Sequence, residues 1–132
     1  MKEDSPQAEP LRVLIVDDDP QVVALLLEIV RAEGYRAESA SGARAAIRML
    51  GAFQPHVVVT DLVMPEGEGM ELILHLARHD RGPAIVAMSG NPTGKLFLRA
   101  SELLGVRATL HKPFRPQELQ TVLRKLCSRA DT

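Results

Sequence analysis

The sequence predicts an α/β domain: a parallel sheet with helices on both faces. Two observations carry this. Five short aliphatic runs, each with the length and β-branched content of a fully buried strand, punctuate the chain. Between them lie segments whose apolar residues recur with helical period, and strands alternating with helices make parallel crossover units.

The first strand is Leu11–Val16, which runs into Asp17-Asp18-Asp19-Pro20. Asp before Pro is a helix start, since Pro at the first helical position has no N–H to leave unsatisfied. Val22, Val23, Leu26, Leu27 and Val30 form the inward stripe of that helix, and Gly34 stops it. Tyr35–Ser39 reads as a weaker strand nearer an edge. Ser41 is expected to cap a short helix from Gly42 to Leu50, with Ala45, Ala46, Met49 and Leu50 inward and Gly51 ending it. His56-Val57-Val58-Val59-Thr60-Asp61 is the central strand, ended by Met64-Pro65. A helix over Gly69–His79 buries Leu72, Ile73 and Leu76. Ala84–Met88 is the next strand and closes on Ser89-Gly90-Asn91-Pro92. Thr93–Leu104 is a helix closed by Gly105, Val106–Leu110 a fifth strand, and Pro116–Ser128 a last helix burying Leu119, Val122, Leu123 and Leu126. This places the domain at residues 11–128, with a polar, disordered lead-in over 1–10 and a short tail over 129–132.

Composition narrows the function. With 132 residues the chain fits one domain, and with no Trp, one Tyr and three Phe it has little to stack on bases or sugars. A net charge of −1 argues against electrostatic capture of nucleic acid or membrane. Cys127 is the one cysteine, so no internal disulfide forms, and it reads as a small filler on the last helix. Without an export signal or an apolar span, a cytoplasmic protein is expected.

In parallel sheets of this type ligands bind beyond the carboxyl ends of the strands. The polar residues delivered there are Asp17, Asp18, Asp19, Asp61, Ser89 and Lys112. Each alone has a plain reading as a cap, a turn former or a surface lysine, and Asp19 is expected to be a cap. Together they form a site. Like charges about 4 Å apart repel by ~4 kcal/mol at an effective dielectric of about 20, so clustered Asp17, Asp18 and Asp61 need a cation or a raised pKa. The donors are oxygens, which suits Mg²⁺ far better than Zn²⁺. Lys112 and Ser89 then suit the oxygens of a transferred phosphoryl group.

The set Val16-Asp17-Asp18, Asp61-Leu62-Val63-Met64-Pro65 with Gly69, Ser89-Gly90 and Lys112-Pro113-Phe114 resembles the receiver domains of two-component response regulators, over residues 11–128. That resemblance implies a flavodoxin-like, doubly wound five-stranded sheet of order 2-1-3-4-5 with five helices. It implies Asp61 as phosphoacceptor, fed by a histidine kinase, a histidine phosphotransfer protein or a small phosphodonor. Mg²⁺ would sit on Asp18, Asp61 and the Val63 carbonyl, with Asp17 acting through water. Lys112 would pair with the acyl phosphate, and Ser89 would move to hydrogen-bond it. The family usually carries Tyr or Phe three residues before the Lys; here Thr109 stands there, so an aromatic switch cannot operate. Glu68 also departs from the usual Asp or Asn before Gly69.

Output is expected through protein contact, because only 18 residues follow Phe114 and the last helix uses them. A receiver excised from a hybrid kinase, an Asp-nucleophile phosphohydrolase and an unphosphorylated interaction module are the competing readings. The hydrolase lacks a second acid at Val63, and the intact site argues against the module. His75 and His79, four apart on one helix, have chelating spacing but read as solvent-facing; Arg115, Arg124, Lys125 and Arg129 read as the solvated face of the last helix.

Overall fold

The computed structural model describes residues 10–64, 68–79, 81–90 and 94–130, with the side chains of 68, 94–98 and 128–130 outside the description. The lead-in up to residue 9, Pro65, the Glu68 side chain, 91–93 and the end of the tail therefore lie outside the described residues. Five strands and five helices alternate: β1 (Arg12–Val16), α1 (Pro20–Ala32), β2 (Arg36–Ala40), α2 (Ala43–Phe53), β3 (Val57–Asp61), α3 (Glu68–Ala77), β4 (Ala84–Ser89), α4 (Gly94–Leu103), β5 (Ala108–His111) and α5 (Pro116–Ala130). All strand pairs are parallel, in the order β2-β1-β3-β4-β5. The weak second strand is at the edge, as expected.

The central strands read as continuous apolar runs because both faces of the sheet are covered. Leu14, Val16, Val58 and Ala87 pack with Ala46, Leu72, Ile73 and Leu76 of α2 and α3. Val13, Ile15, Val59 and Met88 pack on the other side with Leu26, Val30, Leu119 and Leu123 of α1 and α5. Cys127 is buried on α5, and Arg124 of that helix reaches Glu33 at the end of α1 (2.8 Å) rather than standing free in solvent.

Most boundaries shift by one or two residues from expectation, and three departures have a visible cause. Ser41 does not cap α2: the cap residue is Gly42 and no side chain bonds the helix end. Gly51 does not stop it either. A helical glycine costs only about 1 kcal/mol against alanine, and the apolar stripe continues through it to Phe53, which packs on the core. Gln54 closes the helix instead, in the left-handed region (φ 51°), its N–H bonded to Leu50 O. The fifth strand begins at Ala108 rather than Val106, because the Val106 N–H is taken by Ser101 O in the turn that ends α4.

The fold brings segments together that no local pattern links. The Arg12 N–H donates to Nδ1 of His56 (2.9 Å), and Arg12 Nε to Gln54 O (2.8 Å), pinning the starts of β1 and β3.

A carboxylate and ammonium cluster at the strand exits

Parallel strands in register put their last residues on one rim. Val16 pairs with Thr60 and Asp61 with Met88, so Asp17, Asp18 and Asp61 emerge side by side. One ligating oxygen from each lies within 4.8 Å of the others. Asp17 is 1% exposed and Asp61 is 7% exposed, while Asp18 faces solvent.

Two of the three carboxylates converge on one cation. Lys112 Nζ donates to Asp17 Oδ2 at 2.7 Å and to Asp61 Oδ2 at 3.2 Å. The remaining oxygens bind backbone: Asp17 Oδ1 accepts the Asp19 N–H (2.9 Å) and Asp61 Oδ1 the Val63 N–H (3.0 Å). Asp19, as expected, caps α1 by accepting the Gln21 N–H at 2.9 Å. Burial is the main influence on the Asp61 carboxyl and, helped by Asp17, leaves its pKa raised, although the Val63 N–H and the Lys112 ammonium pull the other way. Burial also disfavours the Lys112 ammonium, but the bonds to Asp17 and Asp61 outweigh it and its pKa is raised.

Ser89 ends β4 beside this cluster. It is fully buried, and its Oγ has no hydrogen-bond partner among the described residues. A buried hydroxyl left unsatisfied costs about 1–3 kcal/mol, so such a group calls for a reason. Its carbonyl accepts the Lys112 N–H at 2.8 Å, which fixes the β4 and β5 exits to one another. The Lys112–Pro113 peptide bond is cis. Thr109 is half-buried opposite Ala87, without an aromatic ring at that position. His111, in register with Ser89, is exposed.

One residue's role was not legible in the sequence. A Cβ on Gly69, at the start of α3, would run into the backbone oxygens of Asp61 and Leu62 at distances real Cβ atoms do not show. The glycine lets α3 abut the carbonyl end of β3, and so sets how the Asp61 loop leaves the sheet.

The sequence from Val13 to Arg124 matches the family model of the response regulator receiver domain over residues 13–124. The chain belongs to that family. The receiver is similar to chemotaxis protein CheY of Thermotoga maritima, 29% identical over 87% of this chain and 96% of that protein. It is 30% identical to response regulator Rre1 of Synechocystis over 92% of its own length, and spans about half (54%) of that longer protein. The CheY-like receiver domain protein of Methanospirillum hungatei superposes with a TM-score of 0.79 at 26% identity, covering 92% of this chain and 98% of that one. The flavodoxin-like order 2-1-3-4-5 is thus that of known receivers. Receivers of this family bind Mg²⁺ at an Asp cluster and work with histidine kinases and downstream targets; here Asp17, Asp18 and Asp61 form such a cluster. No helix among the described residues is long and apolar enough to cross a membrane.

The donor set fits a hard divalent ion. Among the described residues, three carboxylates within 4.8 Å and the Lys112 ammonium leave net negative charge, and oxygen-only ligands match Mg²⁺.

Proposed function

We propose that this chain is a single-domain response regulator that takes a phosphoryl group onto Asp61 and delivers its signal by protein contact in the cytoplasm. The domain would be residues 11–128, which spans most of the Thermotoga CheY and about half of Rre1. The observation that carries the reading is the convergence of Asp17 and Asp61 on Lys112 Nζ, at 2.7 and 3.2 Å, with Asp18 alongside.

The chemistry follows from these groups. A carboxylate oxygen of Asp61 attacks the phosphorus of a phosphohistidine on a histidine kinase or phosphotransfer protein. The P–N bond breaks, and the departing imidazole takes up a proton. With acetyl phosphate the P–O bond breaks and acetate leaves. Lys112 neutralises phosphoryl oxygens as charge builds, acting as a fixed point charge. The free Ser89 hydroxyl donates to one of those oxygens, which satisfies a group otherwise buried alone. Asp18, Asp61 and the Val63 carbonyl would hold Mg²⁺, with Asp17 assisting through water. The ion supplies charge neutralisation between the carboxylates and the incoming phosphoryl.

Incubation with acetyl phosphate and Mg²⁺, followed by intact-mass measurement, tests this. One phosphoryl adduct is expected on wild type, and none on Asp61→Ala or in EDTA. Many phosphates released per protein would make the chain a phosphohydrolase. No adduct with several donors would remove the phosphoacceptor reading.

A further inference from the structure

We propose that the groove between α2 and α3 docks an acidic amphipathic helix of a partner protein. It needs none of the residues around Asp61, so it stands apart from the phosphoacceptor reading.

The groove has a volume of about 510 Å³. Its apolar lining is Ile47 from α2 with Met70 and Leu74 from α3. Met70 and Leu74 are four apart and share one helix face. Leu74 is 47% exposed, one of four large hydrophobic side chains so exposed among the described residues. With Ile47 and Met70 it forms a small contiguous apolar patch rather than an isolated exposed side chain. Methionine in the lining adapts to the shape of what enters.

Charge identifies the occupant. The chain carries a net charge of −1, yet the groove lining has Arg44 and Arg78 against Glu71 alone, with His75 beside them. Arg48, one turn beyond Arg44 on α2, is exposed as well. Neither Arg44 nor Arg78 has an ion-pair partner among the described residues. Among the described residues the rim therefore carries more positive than negative charge, which favours a partner with carboxylates flanking its apolar residues. A second copy of this chain is disfavoured: a symmetric dimer on this face would set the arginine rim against itself. The furrow lies between two neighbouring helices, a shape into which a third helix presents anchors at i, i+3 or i+4, and i+7.

The test uses a fluorescent synthetic helix of about 15 residues, with leucines at i, i+3 and i+7 and glutamates on both flanks. A copy with lysine in place of every glutamate is the control. Fluorescence anisotropy against the full chain should show binding of the acidic helix only. Affinity should fall at least tenfold in the Arg44→Glu/Arg78→Glu double variant and in Leu74→Ser. Far-UV circular dichroism and melting keep the variants interpretable; Arg44 is the second residue of α2, where a glutamate suits the helix dipole. Equal binding of both helices, binding unchanged in the variants, or no binding at millimolar peptide would overturn the proposal. Concentration-dependent dimerisation that Leu74→Ser abolishes would overturn it too, by giving the groove to a second copy.

Discussion

Replacing Asp61 by asparagine should stabilise the protein when divalent metal is absent. At an effective dielectric of about 20, charges 4.8 Å apart repel by about 3.5 kcal/mol and charges 3.2 Å apart attract by about 5 kcal/mol. Asp61 feels the first from Asp17 and, weakened by solvent, from Asp18; it feels the second from Lys112. These nearly cancel. Burial of a carboxylate that is 7% exposed then decides the balance against the ionised form, and burial is the largest cause of its raised pKa. Asp61→Asn removes that charge while its amide oxygen still accepts the Val63 N–H, and Lys112 keeps Asp17 at 2.7 Å. The expected gain is on the order of 1 kcal/mol in urea unfolding at pH 7.5 with EDTA.

The pH dependence has a definite sign. The folded-state pKa of Asp61 lies above the ordinary 3.8, so the folded protein holds this proton more tightly than the unfolded chain. Its favourable contribution is present below 3.8 and is lost as the pH rises through the folded pKa. The gap between variant and wild type is therefore absent in acid and opens toward neutrality. Mg²⁺ at a hundred times its dissociation constant adds about 2.7 kcal/mol to the protein that binds it, so wild type should overtake the variant when the metal is restored. Wild type equal to or more stable than Asp61→Asn in EDTA, or a gap that closes as pH rises, would show that Lys112 governs the cluster and refute the reasoning.

Lys112→Met should cost about 3 kcal/mol in EDTA at neutral pH, because it strands the buried Asp17 and Asp61 carboxylates; urea unfolding should show most of this returning on acidification. Gly69→Ala forces a methyl against the Asp61 and Leu62 carbonyls, and is expected to lose about 2 kcal/mol and to lower the yield of phosphoprotein from acetyl phosphate. Unchanged stability and yield would mean that the junction adapts freely. Val63 stands 39% exposed at the mouth of the site and has no side-chain group to orient water. Val63→Asn should therefore shorten the lifetime of the phosphoryl group several-fold, on the order of 1 kcal/mol in barrier, in a phosphate-release assay; equal or slower loss would count against this.

The parts legible in the sequence are those whose cause is local. Val57-Val58-Val59 and Ala84–Met88 announce buried strands by composition alone, and Asp17, Asp18, Asp61 and Lys112 announce a rim because each follows such a run. The closure of α2 is not legible in the sequence because Gly51 is a weak stop when an apolar stripe runs past it, whereas Gln54 adopts its left-handed turn without any signature residue. The steric demand at Gly69 and the His56 bond to Arg12 depend on chain segments meeting through space, which periodicity does not encode. Ser89 was legible as a site residue, but the lack of a partner for its Oγ among the described residues was not, because it depends on which groups the fold brings near it.

That unsatisfied hydroxyl bears on Thr109. With no ring at that position to swing, a change at Asp61 has to leave the site by groups that already touch. Lys112 Nζ binds the Asp61 and Asp17 carboxylates, its N–H binds the Ser89 carbonyl at 2.8 Å, and a Cβ on Gly90 would sit 3.0 Å from the Lys112 Cβ. The ends of β4 and β5 are therefore a tightly coupled pair whose common anchor is the charge on Asp61. Under the proposed phosphorylation, a shift of the lysine toward phosphoryl oxygens would load that pair at the main chain, and a hydrogen bond from Ser89 Oγ would pull in the same place. Threonine at 109 is half-buried opposite Ala87, so phosphorylation of Asp61, as proposed above, is expected to shift the edge strand β5 as a whole; amide hydrogen exchange in β5 that acetyl phosphate and Mg²⁺ leave unchanged would refute this.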